Sequence, residues 1–367
     1  MPIDLDNKGI AAGSILFGTM AKKLVLYCFM LGMLFSGTAS TMLAKSMDLM
    51  KVNGKKFRHP YFQTASMFIG YNLFFLYYKL AKRFSKTLPE ARNSVAFSIP
   101  AFLDVCAASL NFIGLQLSSP SVYQMVRGFR IVVVAIYSVL FLKSKLYKHH
   151  IAGVALTVVG TTIVGISSVL YKDKTAQNPV AGFFLVLACQ FFAAGVWVVE
   201  AKFLKSLKVH PMKAVAVEGA SGLSYYVVIL FVLYFVPCSD PDFCTNGRVE
   251  DSVEAFAQIG ADGVLLALWI SVILSLSLLN WTGVSINKYG TPIARATVDM
   301  CRTTLVWLIT ILIGWEGFFW LQALGFLFIV LGTLLYNEIL VLPCFRRAVE
   351  DSESTYSLVE SEVYELS

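Results

Sequence analysis

The chain has 367 residues, 57% of them hydrophobic, and only 14% are charged, whereas soluble domains carry about 25% charged residues. This composition excludes a disordered chain and argues against a soluble enzyme folded around one apolar core. Apolar runs of about 20 residues recur along the sequence, and the hydrocarbon layer of a membrane accommodates runs of this length. The sequence therefore predicts a polytopic membrane protein.

Ten apolar segments follow one another along the chain, and each can cross the hydrocarbon layer as a helix of about 20 residues. Pro60, Pro211 and Pro292 lie near the starts of three segments, where the missing N–H of proline is tolerated. The predicted spans are 24–44, 61–82, 95–117, 120–142, 151–170, 180–203, 212–236, 264–285, 291–313 and 320–342. The predicted fold is an all-α membrane protein with ten transmembrane helices.

Lysine and arginine residues set the predicted orientation. With the N-terminus in the cytoplasm, 16 basic residues outside the spans face the cytoplasm and 8 face the opposite side. Cytoplasmic loops of membrane proteins carry such an excess of positive charge, although the basic segment 51–58 runs against the rule. We expect both termini to be cytoplasmic, and we attribute the net charge of +7 to these loops rather than to nucleic-acid binding.

The second half of the chain repeats features of the first half in the same order. His59-Pro60 before the second span recurs as His210-Pro211 before the seventh, and Asn111-x-x-Gly114 recurs as Asn280-x-x-Gly283. An odd number of spans per unit makes the second copy enter the membrane from the opposite side, as in alternating-access transporters. We therefore predict a cytoplasmic N-terminal segment 1–23, a first five-helix repeat 24–170, an inverted second repeat 180–342 and a disordered acidic cytoplasmic tail 343–367.

Two predicted spans carry charged residues near the membrane midplane, where each charge costs about 2.5–3.5 kcal/mol. Within each span the polar residues are spaced i, i+4, i+7 on one helix face, and the repeat superposes the two spans. They are Tyr123, Arg127 and Arg130 in the fourth span, and Arg295, Asp299 and Arg302 in the ninth. We predict that both helices line a central cavity, where Arg127, Arg130 and Arg302 bind an anionic group and Asp299 is their exchangeable partner.

A purely structural role is the alternative for the ninth span, because Asp299 lies within reach of both Arg295 and Arg302 on its own helix. Arg127 and Arg130 have no acidic neighbour on their helix, so they need a partner from another helix or from a ligand.

Further polar residues complete the predicted solute-binding set. Glu218 in the seventh span is a candidate proton site or arginine partner, and Gln124 lies beside the basic face of the fourth span. Asn111 and Asn280 offer hydrogen bonds to a solute or to neighbouring helices. Glu200, near the end of the sixth span, is expected to reach the membrane interface as readily as a binding site.

Motifs of a nucleotide-driven pump or of a hydrolase are absent from the sequence. It lacks G-x-x-x-x-G-K-[ST], H-E-x-x-H and a nucleophile elbow, and its seven cysteines form no pair with metal-ligand spacing. We therefore predict a secondary carrier rather than an enzyme, without a metal or other cofactor. Cys238 and Cys244 lie in the acidic loop 237–263, which faces an oxidising lumen in this orientation. We predict a disulfide between them, with two free thiols as the alternative.

The tail and the small residues of the spans point to protein partners. Tyr356-Ser-Leu-Val359 fits the tyrosine-based pattern that clathrin adaptors bind, and it lies in an acidic tail whose composition is typical of disorder. This motif predicts sorting to the lysosomal or late endosomal membrane. Gly153, Gly160, Gly325 and Gly332 predict close helix packing, either within one chain or in a homodimer.

Four short segments carry a family resemblance. They are Gln124-Met-Val-Arg-Gly128, His210-Pro-Met-Lys-Ala-Val215, Asp299-Met-Cys-Arg-Thr303 and Gly314-Trp-Glu316. With matching span positions over residues 20–345, they resemble the solute carrier family 35, F-type branch, of the drug/metabolite transporter superfamily. The resemblance implies a transporter-like fold and an endomembrane location, lysosomal first, with Golgi or mitochondrial membranes as alternatives. It implies no particular substrate.

These features predict a secondary-active transporter or exchanger of a small anionic or zwitterionic organic solute that works by alternating access. Two alternatives remain open. One is a membrane scaffold that keeps a carrier fold and acts through protein partners, and the other is a Golgi nucleotide-sugar transporter.

Overall fold

The structure is a computed structural model that describes residues 6–52, 54–57, 59–84, 94–117, 123, 125–143, 147–170, 179–238, 247–314, 318–336 and 340. Almost all of these residues are helical. In chain order the α-helices are α1 (Asp6–Leu49), α2 (Pro60–Phe84), α3 (Ser98–Leu117), α4 (Arg130–Leu142), α5 (Lys148–Leu170), α6 (Pro179–Ser206), α7 (Pro211–Phe235), α8 (Ser252–Ala261), α9 (Gly263–Tyr289), α10 (Pro292–Leu312) and α11 (Trp320–Tyr336).

Shorter elements connect some of these helices. Ser94–Phe97 and Arg127–Phe129 are 3-10 turns that lead directly into α3 and α4. Between α1 and α2, the antiparallel strands β1 (Lys51–Val52) and β2 (Lys55–Lys56) form a small hairpin. Gly54 adopts a φ of 79° in its turn, a conformation that glycine reaches without a Cβ clash.

Each of the ten predicted spans overlaps one of these helices, and six segments are long and apolar enough to cross a membrane. α10 carries three charged residues, and α11 has only 17 residues. The six segments are Leu24–Leu49, Ser94–Asn111, Lys148–Ser167, Val180–Ser206, Pro211–Phe235 and Gly263–Tyr289. The protein is therefore an all-α, multi-pass membrane protein.

Polar side chains lie inside the helix bundle, and large apolar side chains lie on its surface. α7 buries Glu218 and Gly222 but exposes Val228, Phe231 and Phe235. α10 likewise buries its charged residues and exposes leucines towards its C-terminal end. Extended apolar surfaces of this kind are unfavourable in water and match a hydrocarbon environment.

Helix boundaries follow the prolines closely, but two features depart from the predicted spans. α2, α7 and α10 begin at Pro60, Pro211 and Pro292, as expected for proline in a first helical turn. α1 begins at Asp6, well before the predicted boundary at residue 24. The loop 237–263 contains the unpredicted helix α8, which packs its apolar side chains in one cluster with residues of α9.

Glu250 joins the long loop before α8 to the beginning of α2. Its Oε1 lies 2.7 Å from His59 Nδ1, and its Oε2 accepts hydrogen bonds from the amides of Tyr61 (3.1 Å) and Phe62 (3.3 Å). These amides are among the donors that a helix leaves unpaired at its N-terminus, where a carboxylate is favourable. The contact fixes the loop on the bundle.

α5 and α11 pack through pairs of glycines. Gly153 lies against Gly332, and Gly160 lies against Gly325. A Cβ atom on any of the four would come within 2.5–2.8 Å of its partner's carbonyl oxygen. The predicted close packing of these small residues is therefore confirmed within a single chain.

Candidate functional site

Asp299 of α10 lies at the centre of three guanidinium groups. Its Oδ1 accepts hydrogen bonds from Arg302 Nε (2.9 Å) and Nη2 (2.5 Å), and its Oδ2 accepts one from Arg130 Nη1 (3.1 Å). Arg127 Nη2 lies 3.6 Å from Oδ1, close enough for an ion pair but not for a hydrogen bond. We call Arg127, Arg130, Asp299 and Arg302 the guanidinium cluster.

The 3-10 turn at Arg127–Phe129 explains why two arginines three residues apart reach the same carboxylate. A 3-10 helix has three residues per turn, so Arg127 and Arg130 project from the same side of the chain. Gly128 permits this turn to approach α11, because a Cβ there would lie 2.4 Å from Ile329 Cγ2. A 3-10 turn that leads into an α-helix is also a place where the helix can bend.

Other helices hold the arginines of the guanidinium cluster in place. Arg130 Nε donates to Gln190 Oε1 of α6 (3.0 Å). Arg302 Nη1 lies 3.4 Å from the carbonyl oxygen of Gly37 and 3.3 Å from Thr41 Oγ1, both on α1. Gln190 and Thr41 occur in apolar runs without a recognisable motif, so these contacts could not be predicted from the sequence.

The guanidinium cluster contains more positive charge than it can neutralise. Three arginines share one carboxylate, which leaves a formal excess of two positive charges. Arg127 and Arg130 are only slightly exposed, at 14% and 11% of their side chains. Among the described residues, the buried Nε of Arg127 has no hydrogen-bond partner. Guanidinium groups bind carboxylate or phosphate oxygens in pairs, so the cluster has unused capacity for an anion.

The alternative in which α10 neutralises its own charges holds for Arg302, which pairs with Asp299, but not for Arg295. Arg295 forms an ion pair with Glu200 of α6 instead, and Glu200 also accepts a hydrogen bond from Asn287 Nδ2 (2.8 Å). Glu200 is only 1% exposed, so the expectation that it reaches the membrane interface is wrong. Its position is fixed by a cation from another helix, which favours burial over solvation.

Glu218 of α7 lies beside this ion pair. Asn280 of α9 connects the two, because its Oδ1 accepts from Arg295 Nη2 (3.3 Å) and its Nδ2 lies 3.5 Å from Glu218 Oε2. Asp104 of α3 lies within electrostatic range of both Glu200 and Glu218. We call Asp104, Glu200 and Glu218 the carboxylate cluster.

The indole of Trp197 lies between the two clusters. Arg130 Cζ is 4.7 Å from its ring centroid and Arg295 Cζ is 4.9 Å from it, so both cations make cation–π contacts with one ring. The distances place the predicted polar residues of α4, α7, α9 and α10 in one connected network. Trp197 itself was not among the predicted site residues.

Tyr123 and Asn111 form a separate contact at the edge of the guanidinium cluster. Asn111 Nδ2 donates to the hydroxyl of Tyr123 (2.6 Å), and Arg127 Cζ lies 5.9 Å from the Tyr123 ring centroid. Asn111 and Asn280 therefore both bond to other polar residues of the bundle. Asn280 contacts residues of two other helices, Glu218 of α7 and Arg295 of α10.

Some predicted residues lie outside the described part of the chain. They are Gln124, Cys244 and the tail residues Tyr356 and Val359. Cys238 is disulfide-bonded, whereas Cys28, Cys106, Cys189 and Cys301 are free. Within the described ranges, no group of three or more His, Cys, Asp or Glu residues could hold a metal ion.

The chain is similar to several known proteins. Residues 64–220 match the family model of the nucleotide-sugar transporters. Solute carrier family 35 member F6 of Rattus norvegicus is 31% identical over 333 residues, covering 86% of this chain and 90% of the relative. The same member of Homo sapiens is 31% identical, covering 83% and 86%.

More distant relatives extend the match. An uncharacterised protein of Schizosaccharomyces pombe is 28% identical over 85% of this chain and 97% of its own length. A solved crystal structure with 15% identity has a TM-score of 0.57 and covers 86% of this chain and 97% of that chain, which supports the fold alone. On the identity and coverage of its relatives, this chain belongs to the solute carrier family 35, in the F branch.

Proposed function

We propose that the protein is a secondary-active transporter or exchanger that carries a small anionic or zwitterionic organic solute across an endomembrane by alternating access. The observation that carries this proposal is the guanidinium cluster, in which three buried arginines share the single carboxylate of Asp299. Family membership supports solute transport, and the excess positive charge favours a solute with a carboxylate or phosphate group.

The proposed architecture is a pair of inverted five-helix repeats, α1–α5 and α6, α7, α9, α10, α11. Helix packing supports it, because contacts occur in matched pairs. In the two repeats α1 corresponds to α6, α3 to α9 and α4 to α10. The contact of α1 with α9 therefore matches the contact of α6 with α3, and the contact of α4 with α6 matches that of α10 with α1. α2 packs on its counterpart α7, and α5 packs on its counterpart α11. A twofold axis in the membrane plane would produce this pattern, and it is the architecture of alternating-access carriers.

Asp299 would act as the exchangeable partner of the arginines. Arg127 and Arg130 belong to the first proposed repeat, whereas Asp299 and Arg302 belong to the second, so movement of the repeats changes the distances between these groups. An incoming anion would take over the arginine contacts of Asp299, beginning with Arg127, which is the most weakly held. Tyr123, Asn111 and Gln124 are the proposed neighbours of the bound solute in this cluster.

The proposed location is the lysosomal or late endosomal membrane, with both termini in the cytoplasm. The disulfide at Cys238 supports this orientation, because it places the loop 237–263 in an oxidising lumen. Tyr356 and Val359 would bind a clathrin adaptor. Golgi and mitochondrial membranes are the alternative locations, and a homodimer is a further proposed assembly.

A Golgi nucleotide-sugar transporter is the second candidate function. The family match over residues 64–220 favours it, and the diphosphate of a nucleotide sugar would suit the guanidinium cluster. The substrate class that stabilises the purified protein separates the two candidates.

The test is a thermal-stability screen of the purified protein against mononucleotides, nucleotide sugars, dicarboxylates and amino acids, followed by uptake of each hit into proteoliposomes. A bound solute at a hundredfold excess over its Kd stabilises the protein by about 2.7 kcal/mol. We expect Arg127→Gln and Arg302→Gln to abolish both stabilisation and uptake. Arg248→Gln is the matched control, because Arg248 lies outside the bundle against Tyr234 (3.8 Å from its ring centroid).

Uptake that persists in both cluster variants would refute the assigned site. If no solute class stabilises the protein and none enters the proteoliposomes, the chain is a scaffold with a carrier fold rather than a carrier.

A further inference from the structure

Among the described residues, the carboxylate cluster has fewer cations than acids. Arg295 is the cation that contacts it there, and its ion pair is with Glu200. Glu218 is 4% exposed, and its Oε1 has no hydrogen-bond partner within the described part of the chain. Its Oε2 has only the 3.5 Å contact with Asn280. A carboxylate buried without a cation or strong donors is unfavourable, and such a group is held as the neutral acid.

The groups that surround Glu218 favour the neutral acid. The phenol of Tyr71 on α2 and the carboxyl groups of Asp104 on α3 and Glu200 on α6 lie within electrostatic range of it, and Arg295 of α10 is a nearby cation. Gly219 lets α2 approach α7 closely, because a Cβ atom on Gly219 would lie 2.6 Å from Tyr71 Cβ. α2 therefore packs directly against α7 at the residue next to Glu218, whose own side chain is 4% exposed.

The amide of Asn280 also points its donor towards Glu218. Its oxygen is occupied by Arg295 Nη2, so its NH₂ group faces the acid. This NH₂ group can stabilise the carboxylate of Glu218 after proton loss. Arg295 contacts the other end of the same Asn280 amide. The arrangement can therefore hold Glu218 in both protonation states.

We propose that Glu218 is a proton-binding site that supplies the coupling ion of the transporter. In the conformation described here the carboxyl group keeps its proton. When the proton leaves Glu218 for water on the open side of the membrane, Arg295 shifts to a position between Glu218 and Glu200 and neutralises the new carboxylate, while Asn287 keeps its hydrogen bond to Glu200. Trp197 couples this step to the guanidinium cluster, because it contacts Arg295 and Arg130 simultaneously. The coupling rests on the proposed transport function, whereas proton binding does not.

A hydrophobic carbodiimide tests the protonation directly in the unmodified protein. Dicyclohexylcarbodiimide adds to protonated carboxylic acids inside membranes, and peptide mass spectrometry identifies the labelled residue. In reconstituted protein we expect labelling at Glu218 that decreases as the pH rises, and little labelling at Glu200, which is ion-paired with Arg295. Labelling of Glu200 without Glu218, or no labelling of Glu218 at any pH between about 5 and about 8, overturns the proposal.

Infrared spectroscopy tests the same site through variants. The wild-type protein should show the carbonyl stretch of a protonated carboxylic acid that disappears as the pH is raised. Glu218→Gln should remove this band, whereas Asp104→Asn and the loop variant Glu254→Gln should keep it. A band that survives in Glu218→Gln, or that is lost in Asp104→Asn instead, overturns the assignment. If Glu218→Gln does not fold, the labelling of the wild type decides.

The two proposals fail separately. Arg127→Gln leaves the carboxylate cluster intact, so its Glu218 should be labelled as in the wild type. Labelled Glu218 in a protein that no solute stabilises would count against transport alone. An unlabelled Glu218 in a protein stabilised by an anion would count against the proton site alone.

Discussion

Arg302 of α10 lies so close to Gly37 of α1 that a Cβ atom on Gly37 would be 2.1 Å from Arg302 Cδ. Real Cβ atoms do not approach other atoms so closely, so a side chain at position 37 must displace the arginine. Gly37 therefore sets the position of Arg302 and, through it, the geometry around Asp299.

The first prediction concerns Gly37→Ala. We expect it to destabilise the protein by about 1–3 kcal/mol, as overpacking does in other interiors, and to weaken anion binding because Arg302 shifts. Thermal unfolding in detergent measures the first effect, and ligand-dependent stabilisation measures the second. Gly260→Ala is the control, since nothing lies within 4 Å of a Cβ there and α8 should gain up to about 1 kcal/mol. Equal melting temperatures for the two variants would contradict the close contact.

Asp299→Asn should be the most destabilising single change in the guanidinium cluster. It leaves three buried guanidinium groups without a counter-charge, and breaking a buried ion pair costs about 3–5 kcal/mol. Arg127→Gln should cost much less, because Arg127 lies 3.6 Å from the carboxylate and removal of its charge reduces the positive excess. Unfolding in denaturant gives the order of the two variants.

Asp262→Asn is the matched control for Asp299→Asn. Asp262 caps α9 by accepting hydrogen bonds from Val264 and Leu265 amides, and asparagine caps a helix equally well. The stability of Asp262→Asn should therefore stay close to that of the wild type. If Asp299→Asn is as stable as this control, the three arginines do not depend on Asp299 in the folded protein.

The stability of the protein should depend on pH through His210, which caps α7. Burial, and then the nearby Lys288 ammonium, lower the pKa of His210 below its ordinary value of 6.5. The unfolded chain consequently binds more protons than the folded chain at acidic pH. The contribution of His210 is complete above about pH 6.5 and is lost as the pH falls through the lower pKa of the folded state.

His210→Asn checks this prediction, because asparagine keeps the cap without titrating. Between about pH 7 and about pH 5, the melting temperature of the wild type should fall more than that of His210→Asn. Parallel curves for the two proteins would show that His210 is not the titrating group.

The predicted Cys238–Cys244 disulfide should appear as a linked peptide in a non-reducing digest. Its removal by Cys238→Ser should destabilise the protein by about 2–3 kcal/mol, and Cys244→Ser should have the same effect as the double variant. Cys28→Ser is the control, because Cys28 is free and exposed. A linked peptide that joins Cys238 to another cysteine would show the pairing to be wrong.

The sequence predicted the positions of the helices and of the two charged segments well, because apolar runs and buried charges are local features. Pro60, Pro211 and Pro292 located three helix starts, and the spacing of Asp299 and Arg302 predicted their ion pair. The sequence could not show which face of α6 points into the bundle, because that helix is apolar on nearly all sides. The sequence therefore left Glu200 open between a binding site and the membrane interface, and the ion pair that it forms with Arg295 was missed.

Long-range partners without a motif were also missed. Gln190 and Trp197 lie on the same apolar helix α6, 60 and 67 residues beyond Arg130 in the chain. Neither spacing nor composition distinguishes them from residues that contact lipid. Only the three-dimensional packing of α6 on α4 and α10 shows that both residues contact the buried arginines.

The glycine contacts between α5 and α11 also bear on how the bundle can move. Backbone approaches backbone there, and the side chains of Ile329 and Tyr336 pack against Gly160 and Gly153, so α5 and α11 are expected to stay together when the rest of the bundle moves. A rocking motion would keep this seam as its fulcrum and produce the largest displacements at the far side of the bundle. Substituting larger residues along the seam should force α5 and α11 apart and slow turnover, because Ile329 of this seam also packs against Gly128 beside Arg127.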